Sequence, residues 1–130
     1  MAHLPDISNR DATTSVAAAI RYALKRQNIE PVSLGAQVDI QHEGDRPKSM
    51  YLVKSGWIYS YALLADGQRQ ILFLHQAGDI AGLADFGVER VSCSLRSMGG
   101  CVVLPIPITA IATADFLTPE IITYFLQKSA

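Results

Sequence analysis

The sequence predicts a mainly β domain, an antiparallel sandwich or barrel with a helix at each end. The first observation behind this is a beat of glycines. Gly44, Gly56, Gly67, Gly78 and Gly82 fall at intervals of 12, 11, 11 and 4 residues. The second is their company: Gly44-Asp45, Ser55-Gly56, Asp66-Gly67 and Gly78-Asp79 are turn dipeptides or strand ends. The third is what lies between them, short runs rich in Tyr, Ile, Val, Leu and Phe. Short strands at this spacing, separated by turn signals, mark a sandwich or barrel.

Residues 1–11 are polar, contain Pro5 and Asp6, and read as a flexible arm before a domain spanning 12–130. From Thr13 to Gln27 the pattern is helical, with Val16, Ile20, Ala23 and Leu24 on one face. Asp11, Thr13 or Thr14 supplies a cap, and Arg21, Lys25 and Arg26 suit the negative end of the helix dipole. Pro31 forbids a simple continuation, so this is a helix packed on the side of the sheets.

Strands follow at Pro31–Leu34, Gln37–Gln41, Ser49–Lys54, Trp57–Leu64, Gln70–His75, Val91–Arg96 and Gly100–Ile106. Asp66-Gly67 is the strongest hairpin signal and joins the fourth to the fifth. Ser97-Met98-Gly99 turns between the last two, and Pro105 and Pro107 end the final strand. Ile108–Ala114 reads as a short helix. Thr118-Pro119-Glu120 reads as a helix start, with Thr118 as cap and Pro119 at the first helical position. Ile121, Ile122, Phe125 and Leu126 then form an apolar face.

At 130 residues the chain is one domain by length. Its composition, 49% hydrophobic and 18% charged, is globular. A net charge of −1 and a pI near 6.3 lack the basic footprint of a nucleic-acid binder. No apolar stretch is long enough for a membrane span, and the N-terminus has no signal-peptide core, so a cytoplasmic protein is expected. Cys93 and Cys101 lie in apolar stretches without CxxC spacing and read as buried reduced thiols.

The run Tyr51–Leu83, YLVKSGWIYSYALLADGQRQILFLHQAGDIAGL, closely resembles the sensor domain of the CRP/FNR family of bacterial transcription regulators. The combination SGW…DGQRQI…GD..GL resembles its FNR-type branch, and the similarity covers roughly residues 32–127. The resemblance implies a double-wound antiparallel β-roll, jelly-roll-like and of the cyclic-nucleotide-binding type, flanked by N- and C-terminal helices. It implies a regulatory domain that senses a small-molecule effector, not an enzyme. It also implies a homodimer through the C-terminal helix, with Leu117, Ile121, Phe125 and also Ile122 as remnants of the seam. The family's winged helix-turn-helix follows that helix. This chain ends before the helix is complete, so no direct DNA contact by this chain is expected.

In nucleotide-binding members a Gly-Glu-Leu turn is followed by Arg-Ser/Thr-Ala. The glutamate holds the ribose 2′-OH, and the arginine neutralises the cyclic phosphate through charge-assisted hydrogen bonds. Here the resemblance maps the cassette onto Gly82, Leu83, Arg90, Val91 and Ser92. Leu83 stands in place of the glutamate, and Val91 in place of the Ser/Thr. A ribose hydroxyl buried without a partner costs about 1–3 kcal/mol, so no tight binding of cyclic AMP or cyclic GMP is expected. The plain alternative for Arg90 is a surface arginine paired with Glu89 or Asp85.

Genuine cyclic-AMP binding is the nearest alternative function. The FNR cluster needs N-terminal cysteines, and none precedes Cys93; haem needs an axial ligand, and His75 is the only histidine inside the roll. No cofactor is expected. A cupin-like metal enzyme would need converging histidines, but the chain has only His3, His42 and His75, with no HxH pair. A third reading is an interaction module whose interior, between Ile80, Leu83 and Cys93, is self-filled or takes an uncharged ligand. Asp45, Asp66 and Asp79 neighbour glycines and have turn roles. Trp57, Tyr59 and Tyr61 alternate along one strand and read as packing on one face or cross-strand rather than as a nucleic-acid platform, since the basic groove is missing.

Overall fold

A computed structural model of the chain describes residues 18–85, 88–111, 118, 119, 121–123 and 127. The expected N-terminal arm, Leu117 and Phe125 lie outside the described residues. The expected fold class holds. Among the described residues, eight strands form two antiparallel sheets: β1 (Val32–Leu34), β2 (Asp39–Gln41), β3 (Ser49–Ser55), β4 (Ile58–Leu63), β5 (Arg69–His75), β6 (Ile80–Ala81), β7 (Ser94–Ser97) and β8 (Cys101–Pro107). One sheet has the order β1-β8-β3-β6 and the other β2-β7-β4-β5. Helix α1 covers residues 18–26, and α2 is Ile108–Ile111.

Strand β3 explains why two cores exist. Successive side chains of a strand point to opposite faces. Met50 and Leu52 face the helices and pack with Ile20, Leu24, Leu104, Ile106 and Ile121. Val53 faces the other sheet and packs with Ile58, Ala81, Leu95, Cys101 and Val103, with Tyr51 partly buried against them. The first sheet is therefore covered on both sides, by α1 and its neighbours and by the second sheet.

The β4–β5 hairpin sits where the Asp66-Gly67 pair places it. Gly67 N–H donates to Leu64 O at 2.9 Å and Leu64 N–H to Gln68 O at 2.8 Å. Gly67 has φ +86°, giving a three-residue loop whose last residue is left-handed. The aspartates act as expected: Asp45, Asp66 and Asp79 each accept a backbone N–H, from His42, Gln68 and Gln76 respectively. Thr118 caps the last helix, accepting Ile121 N–H on Oγ1 at 3.4 Å.

Three sequence expectations need correction. Pro105 and Pro107 lie inside β8 and do not terminate it. Strand β1 covers β8 only from Cys101 to Val103, so beyond Val103 one edge of β8 is open and a missing N–H costs no ladder bond. Strand β7 begins at Ser94, three residues later than expected, because Val91 pairs with the turn at Gly44 and Asp45 instead. The third is β6, which the sequence did not announce: two residues that pair with Tyr51 and Leu52 of β3.

Candidate functional site

Strands β4, β5 and β7 of the second sheet, with β6 and the turn after it, line an open pocket of about 500 Å³. Its apolar wall comes from Leu72 and Leu74 of β5, Ile80 of β6, Leu83 of the following 3-10 turn and Leu95 of β7. Its polar groups are Ser60, His75, Asp79, Asp85, Ser92 and Cys93. Gly82, at φ +87°, lets the chain turn off β6 into this wall; a Cβ there would stand 3.8 Å from Met50 Cα and Leu95 Cδ1, so the left-handed backbone and not space calls for glycine.

Asp85 is the buried acid of the pocket, and the Ser92 hydroxyl donates to its Oδ1 at 2.7 Å. The Cys93 thiol lies beside it. Burial pushes that thiol up from its ordinary range, and the Asp85 charge adds to the effect. Cys93 is thus held as the neutral thiol, a poor nucleophile. Cys101 is buried in the inter-sheet core, where burial raises it too. Both cysteines are free thiols. Ser60 Oγ is buried next to Cys93 and makes no hydrogen bond of ordinary geometry among the described residues. Burial pushes His75 down, only partly opposed by Asp79, so its imidazole is neutral at pH 7.

Of the five cassette residues read from the sequence, the structure brings Gly82, Leu83 and Ser92 together at this pocket. It does not bring Arg90 or Val91. Val91 is buried, with its backbone paired to Gly44 and Asp45. Arg90 points to the far side of that pairing, where Nη1 donates to Gly44 O at 3.4 Å. Its expected partners, Glu89 and Asp85, are not paired with it; Asp85 is taken by Ser92. Ile121, expected on a dimer seam, is fully buried in the helix-side core of its own chain. Sequence reasoning missed Asp85 as a pocket acid, although an acid three residues after the Gly82 turn was the available signal.

A family model described as the cyclic nucleotide-binding domain matches residues 31–114. The chain belongs to the cyclic nucleotide-binding domain family. Over 64 residues, 49% of this chain and 26% of its relative, it is 34% identical to the Fumarate nitrate reduction regulatory protein of Klebsiella oxytoca. Over 92 residues, 71% of this chain and 36% of the relative, it is 27% identical to Electron transport regulator A of Shewanella oneidensis. The fold is similar to the N-terminal domain of a transcriptional regulator from Streptomyces coelicolor A3(2), with a TM-score of 0.67 and 18% identity over 87% of this chain and 76% of that one. The FNR-type likeness read from the Tyr51–Leu83 run is therefore sound. The chain spans well under half the length of these two curated relatives.

Two further facts bear on this cyclic nucleotide-binding domain. No helix among the described residues is long and apolar enough to cross a membrane. No group of three His, Cys, Asp or Glu side chains among them is arranged to hold a metal ion.

Proposed function

We propose that this domain is the effector-sensing part of a CRP/FNR-like transcription regulator, non-enzymatic, and that its pocket takes an uncharged ligand in preference to a cyclic nucleotide. The observation that carries this is the charge of the pocket wall. Among the described residues no lysine or arginine lines it, and two carboxylates do. A cyclic phosphate needs a cation or a cluster of donors. Here it would meet Asp85, and two like charges about 4 Å apart in a partly dry site repel by about 4 kcal/mol. Leu83, where the family places its ribose-binding glutamate, removes the second anchor. The apolar wall of Leu72, Leu74, Ile80, Leu83 and Leu95 favours a ligand with a hydrophobic body. Asp85, Ser92 and Ser60 offer it hydrogen bonds. DNA contact is assigned to sequence other than this roll.

Isothermal titration with cyclic AMP and cyclic GMP tests the reading. No saturable heat is expected at ligand concentrations approaching about 1 mM, a limit near −4 kcal/mol. A dissociation constant in the low micromolar range for either nucleotide refutes it.

A further inference from the structure

Arg90 is excluded from the roll pocket, yet it is not isolated. Gly44 N–H donates to Val91 O at 3.0 Å and Val91 N–H to Asp45 O at 2.8 Å. These two bonds clamp the 42–48 loop against the 88–92 loop. Arg90, on one side of the clamp, and Arg46, on the other, then line one cleft of about 250 Å³ with Lys48. Ile40, Gln41, Asp45 and Tyr51 complete its wall.

The charge of this cleft is one-sided. It has three cations and a single carboxylate. That carboxylate is already engaged: Asp45 Oδ2 accepts His42 N–H at 3.0 Å, closing its own turn. Neither Arg46 nor Lys48 has a carboxylate partner among the described residues. Arg90 holds only the carbonyl of Gly44. Unpaired cations gathered on a convex surface are solvated and mean little. Two arginines and a lysine converging on a concavity fixed by backbone hydrogen bonds are different. Guanidinium forks match phosphate oxygens two at a time, and the ammonium adds a point charge.

We propose that this cleft, separate from the roll pocket, is a binding site for a small phosphate-bearing anion. Arg46 and Arg90 grip the phosphate oxygens and Lys48 neutralises the remaining charge. Tyr51 gives the rest of the molecule a half-buried aromatic wall, and Gln41, whose Nε2 already donates to Cys93 O at 3.1 Å, offers its amide oxygen to a hydroxyl. The size of the cleft suits a terminal phosphate or diphosphate group better than an extended polyanion, and its three cations favour that multiply charged group over the singly charged diester of a cyclic nucleotide.

Inorganic pyrophosphate at low ionic strength, followed by isothermal titration against the full 130-residue chain, is the test. A single saturable isotherm is expected. Arg46→Gln combined with Arg90→Gln weakens it at least tenfold, and Lys48→Gln alone weakens it several-fold. Arg21→Gln with Lys25→Gln, in a separate groove beside α1, leaves it unchanged. All five side chains are exposed, and an unchanged far-UV spectrum confirms that each variant folds. Absence of saturable heat, or equal weakening by the control pair, overturns the proposal. Because neither arginine touches the roll pocket, these outcomes are independent of what that pocket binds.

Discussion

A Cβ at Gly56 would stand 2.5 Å from the Gly100 carbonyl oxygen and 2.6 Å from Cys101 Cβ, at φ +80°. A Cβ at Gly67 would meet nothing within 4 Å, at φ +86°. The two positions therefore separate steric from conformational cost. Gly67→Ala pays only the left-handed backbone, about 1–2 kcal/mol. Gly56→Ala adds a collision with main chain that cannot swing away, so its cost is expected at about 3–5 kcal/mol. Urea denaturation of the two variants measures the difference.

Protonation separates two other residues. Burial alone would raise the Asp39 carboxyl, but the Arg96 guanidinium at 3.0 Å and the Tyr61 hydroxyl at 3.0 Å donate to it and hold it low. A carboxyl held low stabilises the fold above its unfolded value of about 3.9 and stops doing so as pH falls through the lower folded value. Burial holds the His75 imidazole low as well. The unfolded imidazole takes up its proton first, so stability declines as pH drops below about 6.5. Melting curves from pH 8 to pH 3 should show both windows, His75→Gln removing the upper slope and Asp39→Asn the lower. The turn aspartates could be read from sequence because their partners are two or three residues away. Arg90 could not, because its direction is set by the pairing of Val91 with a loop 46 residues distant.

Among the longer strands, β5 buries least. It lies at the end of its sheet, paired only with β4. Ile71 and Phe73 are 62% and 68% exposed. Strands β3 and β8 instead pair with each other, and of their residues only Lys54 and Ser55 are exposed. Local opening follows buried contacts. Hydrogen exchange is therefore expected to deprotect β5 amides on the order of 10² faster than those of β3 and β8. Equal rates would mean that β5 opens only with the whole fold. The strands were legible wherever turn residues and alternation agreed, as in the β4–β5 hairpin. Strand β6 was not, since two residues carry no period, and β8 was cut short because a proline reads as a stop until the empty neighbouring edge is known.

On the scale of the whole molecule, the last helix has one inward and one outward isoleucine. Ile121 is part of the core, whereas Ile122 is 39% exposed. If the C-terminal helix mediates a homodimer, Ile122→Asp lowers the sedimentation coefficient without lowering the melting temperature. Ile121→Asp unfolds the chain instead, by placing a charge in the core. An Ile122→Asp protein that sediments like the parent at every concentration removes Ile122 from any dimer seam. The roll itself was readable from glycine spacing and the DGQRQI and GD..GL elements, because corners and hairpins are local. The electrostatics of its pocket were not, because they depend on which way the 83–92 segment directs Asp85, Arg90 and Ser92. The most direct measurement is phosphorus NMR of cyclic AMP titrated with this domain at pH 7. An unmoved, unbroadened phosphate resonance is the expected result. A saturating shift with low-micromolar affinity would contradict it, by placing an anion against a wall that, among the described residues, offers it two carboxylates and no lysine or arginine.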